Sequence, residues 1–171
     1  MSGPGRDAPV VVMPVMSADQ EAAWNALLDL HERVPRHWTL VGGQMVHLWC
    51  AERGWPQPRP TDDADAVVDV RADPNALPTF AGARHPSLFG ALVMKAAAHG
   101  ALQGSARGRH RYDLALLASV LARRDVAVEE VARKDTRRLR TMIEAVRSDA
   151  AVMAAHPQAR EARGFLEGAL R

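Results

Sequence analysis

The sequence predicts an α+β protein in which a small sheet with flanking helices precedes a helical C-terminal half. The chain has 171 residues, enough for one domain of usual size. Its apolar residues are mostly alanine, leucine and valine, and only 5% of all residues are aromatic, which favours helices. Glycines and prolines interrupt the first half, whereas the pattern from residue 87 onward is helical. We expect an N-terminal tail at 1–16, an α/β core at 17–86 and a helical half at 87–171.

The first half is predicted to contain two helices and two strands. Ser17 and Gln20 have the spacing of a capping box, in which each side chain satisfies a free amide at a helix start. Pro35 ends that helix, and the Gly42–Gly43 pair lies between the following strand and the next helix. The predicted order is helix 17–34, strand 38–41, helix 44–53, strand 64–70 and a loop with three prolines at 71–86.

The second half is predicted to be entirely helical. The stretch Gly104–Gly108 separates its first two helices, because glycine is unfavourable inside a helix. The predicted helices cover 87–103, 110–123, 126–133, 135–155 and 157–170.

Cysteine content and hydropathy indicate the compartment. The single cysteine, Cys50, cannot form an internal disulfide and lies in an apolar run typical of a buried thiol. The N-terminal residues lack the apolar core of a signal peptide, and no stretch approaches the roughly 18 apolar residues of a membrane span. We therefore expect a cytoplasmic protein that does not enter a membrane.

Charge is distributed unevenly along the chain. Residues 1–86 contain 7 Lys/Arg and 11 Asp/Glu, whereas residues 87–171 contain 15 and 9. An acidic half joined to a basic half suits a metal centre that faces a polyanion channel. It also suits ordinary solvated helices rich in arginine, so the charge distribution alone does not distinguish these two interpretations.

An aspartate cluster on the second strand is the first candidate for chemistry. Asp63 and Asp65 are two positions apart, so their carboxylates share one face of a strand, and Asp69 joins them if the strand is straight. Carboxylate oxygens are the ligands that Mg²⁺ prefers in sites for phosphoryl chemistry. The spacing alone is a weak signal in a chain with 12 aspartates.

The glycine pair is the second candidate. Gly42 and Gly43 lie between a strand and a helix, where bare amides and the positive end of the helix attract phosphate. The alternative is a tight turn that merely requires glycine.

A lysine and an aspartate in the helical half form the third candidate. Lys95 lies on an apolar stripe with Leu88, Leu92 and His99, so it needs an anion, either a protein carboxylate or a nucleotide phosphate, unless it extends to solvent. Asp113, predicted near a helix start, can cap that helix, pair with Lys95, or do both. The basic residues before it suit a triphosphate or an RNA backbone, although such a charge run is more often solvated surface; they are Arg107, Arg109, His110 and Arg111.

Other chemistries have no residues to support them. His47 and His99 occur singly on apolar helices without the spacing of a zinc pair, which is typical of core histidines. The sequence contains no nucleophile elbow, Walker A loop or Cys/His metal cluster. This argues against serine hydrolases, P-loop enzymes and zinc fingers.

Taken in order, four stretches resemble the AbiEii-type (MenT-like) nucleotidyltransferase toxins: TLVGGQMVHLW, RPTDDADAVVDV, HPSLFGALVMKAAA and RHRYDLALL. They are similar to that family's glycine pair, its R-x-T-x-D-x-D motif, the Met-Lys of an inner helix and the Asp-Leu that opens a later helix. The resemblance covers residues 38–120, and the combined order is far more specific than any single motif. It implies the minimal nucleotidyltransferase fold, with a small mixed sheet and a helical half that completes the active-site cleft.

The resemblance also implies a function. Members of the family characteristically act as toxins beside an antitoxin partner, and some transfer nucleotides to the tRNA acceptor end. The implied cofactor is Mg²⁺, the implied substrate is an NTP, and the implied partners are tRNA and a cognate antitoxin.

Residue by residue, the resemblance implies a complete site. Asp63 and Asp65 would bind the metal and, together with Lys95 and Asp113, form the catalytic set. Asp113 would orient Lys95 or assist the acceptor hydroxyl. The implied nucleotide-binding residues, including the flanking threonine and the nearby arginines, are Gly42, Gly43, Thr61, Lys95, Arg107 and Arg111.

One feature departs from the family's pattern. Nucleotidyltransferases of this fold usually have a third carboxylate on a later strand, but no acidic residue occurs between Asp73 and Lys95. Asp69 is the available substitute. Two alternatives therefore stay open: a degenerate module that binds a nucleotide or a protein, and an enzyme that modifies a small hydroxylated molecule, as antibiotic-modifying nucleotidyltransferases do.

Overall fold

The computed structural model describes residues 11–33, 38–56, 60–61, 65–68, 79–80, 83–101, 105–126 and 132–170. The chain divides into two compact units, Met1–Ser87 and Leu88–Arg171, and this division falls one residue from the predicted boundary. The described residues are mostly helical with a few short strands, which agrees with an α+β class. Each unit has buried apolar residues of its own.

The N-terminal unit begins with helix α1, Ala18–Arg33. Its start confirms the predicted capping box: the Ser17 amide donates to Gln20 Oε1 at 3.0 Å, and the Gln20 amide donates to Ser17 Oγ at 3.3 Å. Ala23 and Leu27 are buried one turn apart on the inner face of the helix. The helix ends two residues before Pro35, as the sequence predicts.

Two strands and a second helix follow in the N-terminal unit. Strand β1, Trp38–Leu40, pairs antiparallel with strand β2, Ala66–Val68, so that Thr39 lies opposite Val67. Helix α2, Gly42–Glu52, follows β1 with only Val41 between them. It therefore starts two residues earlier than predicted, with both glycines in its first turn. Of the predicted strand 64–70, residues 64, 69 and 70 lie outside the described residues.

The predicted loop at 71–86 contains paired strands, so this prediction was wrong. Strand β3, Thr79–Phe80, pairs antiparallel with strand β4, Ala83–Arg84. Pro86 follows β4 by two residues and lies outside the paired positions, where proline's missing amide hydrogen does no harm. The other two prolines that suggested a loop, Pro74 and Pro78, lie outside the described residues. Within the described part of the chain, strands form two-stranded antiparallel pairs only, and a mixed sheet stays a prediction.

The C-terminal unit is a set of packed helices. Helix α3 contacts helices α4 and α5, and α4 also contacts α6 and α7. Leu92, Leu117 and Met142, one from each of the first three helices, are fully buried. The elements are α3 Leu88–Ala101, α4 Ser105–Val120, a 3₁₀ turn Arg123–Asp125, α5 Arg133–Arg147, α6 Ala150–Ala155 and α7 Ala159–Ala169.

Two predicted boundaries in this unit are wrong. Helix α4 begins at Ser105, so Gly108 is inside the helix and the basic run before Asp113 is helical. A glycine costs a helix about 1 kcal/mol, which the buried face of α4 outweighs. The predicted helix 135–155 is two helices, because Asp149 accepts a hydrogen bond from the Val152 amide and caps a new start. Most of the predicted helix 126–133 lies outside the described residues.

The predicted apolar stripes are confirmed. Lys95 and His99 are buried in α3 together with Leu88 and Leu92. Asp113 is buried in α4 on the same side as its apolar neighbours at Leu117, Val120 and Leu121. Among the described helices, none is both long and apolar enough to cross a membrane.

Candidate functional site

The first candidate, in the N-terminal unit, is the corner where α2 begins beside Asp65. Gly42 has a left-handed backbone with φ of 66°. The Val41 amide donates to the Asp65 carbonyl at 3.0 Å, which ties the start of α2 to the chain just before β2. A Cβ on Gly42 would lie 2.0 Å from Asp65 Oδ2 and 2.6 Å from Asp65 Cβ. Gly42 is therefore required here, because its missing side chain makes room for the Asp65 carboxylate.

Thr61 approaches the second glycine in the same way. A Cβ on Gly43 would lie 2.7 Å from Thr61 Cγ2 and 2.8 Å from Thr61 Oγ1. Gln44, which is fully buried, donates through Nε2 to the Thr61 carbonyl at 3.4 Å. The glycine pair thus brings the motif's threonine and its last aspartate against one helix start. We call Gly42, Gly43, Thr61 and Asp65 the glycine–aspartate corner.

The electrostatics of the corner suit an anion or a cation. The first turn of α2 contains no acidic residue, and Val41 at its N-cap makes no side-chain cap hydrogen bond. Free amides and the helix dipole attract negative charge at such an end. Asp65 supplies that charge from the protein, and its side chain is exposed.

The donor type in the corner fits Mg²⁺. Mg²⁺ prefers carboxylate oxygens as protein ligands, and it fills its other coordination positions with water or substrate phosphate. Asp63, the other predicted ligand, and Asp69, the substitute third carboxylate, lie outside the described residues. So does Arg59, the arginine that matches the start of the R-x-T-x-D-x-D motif. The part of the chain that is described contains no group of three His, Cys, Asp or Glu side chains able to hold a metal.

The second candidate, in the C-terminal unit, is the pair formed by Lys95 and Asp113. Lys95 Nζ lies 2.7 Å from Asp113 Oδ2, and the two residues are 4% and 2% exposed. A protein carboxylate is thus the partner of Lys95, which answers the question left open by the sequence. Asp113 lies in the third turn of α4, so it cannot cap that helix and the predicted capping role was wrong.

The pair leaves hydrogen-bonding capacity on the lysine. An ammonium group carries three N–H donors. Within the described residues, Asp113 is the one acceptor that Lys95 contacts. A buried pair of this kind requires good geometry, because both charges have lost their water.

The predicted arginines differ in their surroundings. Arg111 Nε donates to Asp149 Oδ2 at 2.9 Å, and both side chains are partly exposed. The Val152 amide and the Arg111 guanidinium hold the pKa of Asp149 below its ordinary value, against a smaller opposite effect of burial. Arg107 is exposed on α4. Arg111 therefore connects α4 to the start of α6.

The charge of Asp113 acts on His110 and His156, and His99 follows Lys95 by one turn of α3. Burial lowers the pKa of His99, His110 and His156 because it disfavours the charged imidazolium. The Lys95 charge lowers the pKa of His110 further, and the Asp113 charge opposes the effect at His110 and at His156. One ring nitrogen of each histidine is buried without a hydrogen-bond partner among the described atoms. Burial therefore favours the neutral imidazole at each of these three positions.

This arrangement predicts that acid destabilises the C-terminal unit. The folded-state pKa of His156 lies below its ordinary value of 6.5, so the unfolded chain binds a proton more readily. Stability is then full above that value and is lost as the pH falls towards the folded-state pKa. We expect the urea midpoint, followed by far-UV circular dichroism, to fall between about pH 7.5 and 5.5.

Replacing His156 with phenylalanine removes one titrating group while keeping an aromatic ring beside Tyr112, whose ring centre lies 4.4 Å from that of His156. The His156→Phe variant should lose less stability than the wild type over this pH range. An identical loss in both proteins would contradict the assignment.

Sequence reasoning missed two residues, one in each unit, that contact predicted site residues. Gln44 is the fully buried polar residue that holds Thr61, and a lone glutamine in the apolar run GGQMVHLWC was the available signal. Asp149 joins α4 to α6 through Arg111. Its signal was the Ser148–Asp149 pair, which is typical of a helix cap. His47 and His99 are buried, as predicted for core histidines.

The chain matches no protein-family model, no curated protein and no solved structure. The resemblance to the AbiEii-type toxins therefore depends on the four motifs themselves. The convergence of the glycine–aspartate corner with Lys95 and Asp113 on one cleft stays a prediction.

Proposed function

We propose that the chain is a Mg²⁺-dependent nucleotidyltransferase that moves a nucleotide from an NTP to a hydroxyl at the tRNA acceptor end. We further propose that it is the toxin of a toxin–antitoxin pair. The observation that carries the proposal is the glycine–aspartate corner, where Gly42 and Gly43 receive the Asp65 carboxylate and the Thr61 side chain. These four residues belong to two motifs separated in sequence, and a shared site explains why they meet.

The chemistry requires an anion site and a carboxylate close together. In the proposed reaction the acceptor oxygen forms a bond to the α-phosphorus, the bond from the α-phosphorus to the bridging oxygen breaks, and pyrophosphate leaves. The acceptor proton passes to water or to a carboxylate. Mg²⁺ held by Asp63 and Asp65 would supply charge neutralisation on the phosphate oxygens. The uncapped first turn of α2 offers amides for those oxygens.

Lys95 and Asp113 have complementary roles in this proposal. The carboxylate of Asp113 fixes the position of the Lys95 ammonium, which keeps donors for a phosphate oxygen. A fixed cation stabilises developing negative charge without reorganising during the reaction. Lys95 would thus contact phosphate, and Asp113 would act through Lys95.

A second candidate is a degenerate module that binds a nucleotide or a protein without transferring anything. The pairing of Lys95 with Asp113 favours this candidate, because a lysine already neutralised by a buried carboxylate needs no phosphate. The two candidates differ in whether label from an NTP reaches another molecule.

Asp65→Ala is expected to reduce transfer by about 100-fold or more, because it removes a charged group from the reacting centre. The assay incubates the full chain with Mg²⁺, each labelled NTP and unfractionated tRNA, and measures label on the RNA. Asp29→Ala is the matched control, since Asp29 is an exposed aspartate on α1 of the same unit.

Label that reaches tRNA equally well with both variants would contradict the role of Asp65. NTP binding by calorimetry without label on tRNA would favour the second candidate. Label on a small hydroxylated acceptor instead of tRNA would contradict the proposed acceptor.

A further inference from the structure

Helix α5 has one apolar face and one strongly basic face. Leu139, Met142 and Val146 are buried on the inner side, where α5 packs against α3 and α4. The outer side is exposed along the whole helix and carries its charge. Its six basic residues are Arg133, Lys134, Arg137, Arg138, Arg140 and Arg147, against two acidic residues, Asp135 and Glu144.

Some of these charges are already neutralised. Arg138 pairs with Asp135 at 2.9 Å, and Arg147 pairs with Glu144. In contrast, none of the described residues forms an ion pair or a hydrogen bond with the side chains of Arg133, Lys134 or Arg137. We call these three residues the cationic stripe. They hold three positive charges within two turns at one end of α5.

We propose that the cationic stripe binds the phosphate backbone of RNA. Arg133 and Arg137 are four residues apart, so they project from the same face about 6 Å apart along the helix axis. Guanidinium groups suit phosphate because their planar N–H donors bind its oxygens in pairs. The buried inner face of α5 holds the stripe in place, so binding does not have to order the helix. The choice of tRNA as the RNA rests on the proposed function; the binding itself does not.

The same helix does not suit a lipid surface. A helix that lies on a membrane inserts an apolar face between the lipids. The apolar residues of α5, Leu139, Met142 and Val146, are buried inside the protein instead. The exposed face offers charge without apolar residues for insertion, which favours a hydrated polyanion.

The test measures tRNA binding in the full chain carrying Asp65→Ala, so that transfer cannot interfere. Fluorescence anisotropy of labelled, unfractionated tRNA gives the affinity over about 50 to 250 mM KCl. The stripe variant carries R133Q, K134Q and R137Q together. It should bind tRNA about tenfold more weakly or worse than the parent chain. The slope of log affinity against log salt concentration should also become smaller in magnitude by about 2 to 3. The slope changes because a variant that makes fewer phosphate contacts releases fewer counterions from the RNA when it binds.

The control removes the same charge elsewhere. R33Q, R124Q and R160Q replace three exposed arginines on α1, the 3₁₀ turn and α7. Its affinity and slope should stay close to those of the parent chain. A stripe variant with unchanged affinity and slope, or a parent chain that binds vesicles of phosphatidylserine but not tRNA, would overturn the proposal.

The two proposals fail separately. Binding of tRNA through the stripe without label transfer by the wild type would refute the proposed enzyme and leave the binding surface standing. Transfer by a stripe variant that keeps its affinity and salt slope for tRNA would refute the binding surface alone.

Discussion

Gly42→Ala should destabilise the N-terminal unit by about 3 kcal/mol or more, through backbone strain and a steric clash together. The left-handed backbone at Gly42, with φ of 66°, is unfavourable for any residue with a Cβ. The new methyl would also meet Asp65 Oδ2 and Asp65 Cβ at 2.0 and 2.6 Å. A side-chain rotation of Asp65 removes the first contact but cannot remove the second. The hydrogen bond from the Val41 amide to the Asp65 carbonyl opposes a shift of the backbone.

Alanine substitutions at two other glycines separate the effect of backbone strain from that of the steric clash. Gly54 has nearly the same φ, 63°, and no atom within 4 Å of an added Cβ, so Gly54→Ala should cost about 1 to 2 kcal/mol from strain alone. Gly43→Ala adds the clash with Thr61 without a positive φ. Urea unfolding followed by tryptophan fluorescence is the appropriate measurement, because all four tryptophans lie in the N-terminal unit. Equal losses for Gly42→Ala and Gly54→Ala would show that Asp65 does not crowd the glycine.

Breaking the Lys95–Asp113 pair should destabilise the C-terminal unit by about 3 to 5 kcal/mol. Either Lys95→Met or Asp113→Leu leaves a single charge in a site where both side chains are at most 5% exposed. The double variant removes both charges and should lose much less than the sum of the single losses. Replacing a buried ion pair by apolar groups of similar size is often nearly neutral.

An exposed ion pair on the same unit serves as the control. Arg138 pairs with Asp135 on α5, and its side chain is 47% exposed. Arg138→Met should change the free energy of unfolding by about 1 kcal/mol or less, because solvent screens the pair. Urea unfolding followed by far-UV circular dichroism gives all four values. Additive losses in the Lys95 and Asp113 variants would contradict a direct interaction between the two residues.

Local sequence signals predicted the elements whose chemistry is contained in a few adjacent residues. The capping box at Ser17 and Gln20 specifies its own hydrogen bonds, so the start of α1 followed directly. The helical period predicted that Lys95 is buried, and the shortage of buried unpaired lysines predicted that it needs an anion. Asp113 was predicted as the partner because it lies on the apolar side of its own helix.

Signals that depend on tertiary structure were not readable. Gly108 suggested a break, but α4 passes through it because burial of the rest of the helix outweighs a local penalty. That error placed Asp113 at a helix start and gave it a capping role it cannot have. The pairing of β3 with β4 was hidden by the prolines of this stretch, which are typical of a loop. The crowding of Gly42 by Asp65 joins positions 23 apart, and no local pattern specifies that contact.

The central claim, nucleotidyl transfer, is tested most directly by where each phosphate of the NTP goes. The wild-type chain is incubated with Mg²⁺, tRNA and NTPs labelled either at the α- or at the γ-phosphate. We predict that α-label becomes attached to the RNA and that γ-label leaves as pyrophosphate. Attachment of γ-label to the RNA would identify phosphoryl transfer instead, and an RNA carrying neither label would contradict the proposed enzyme.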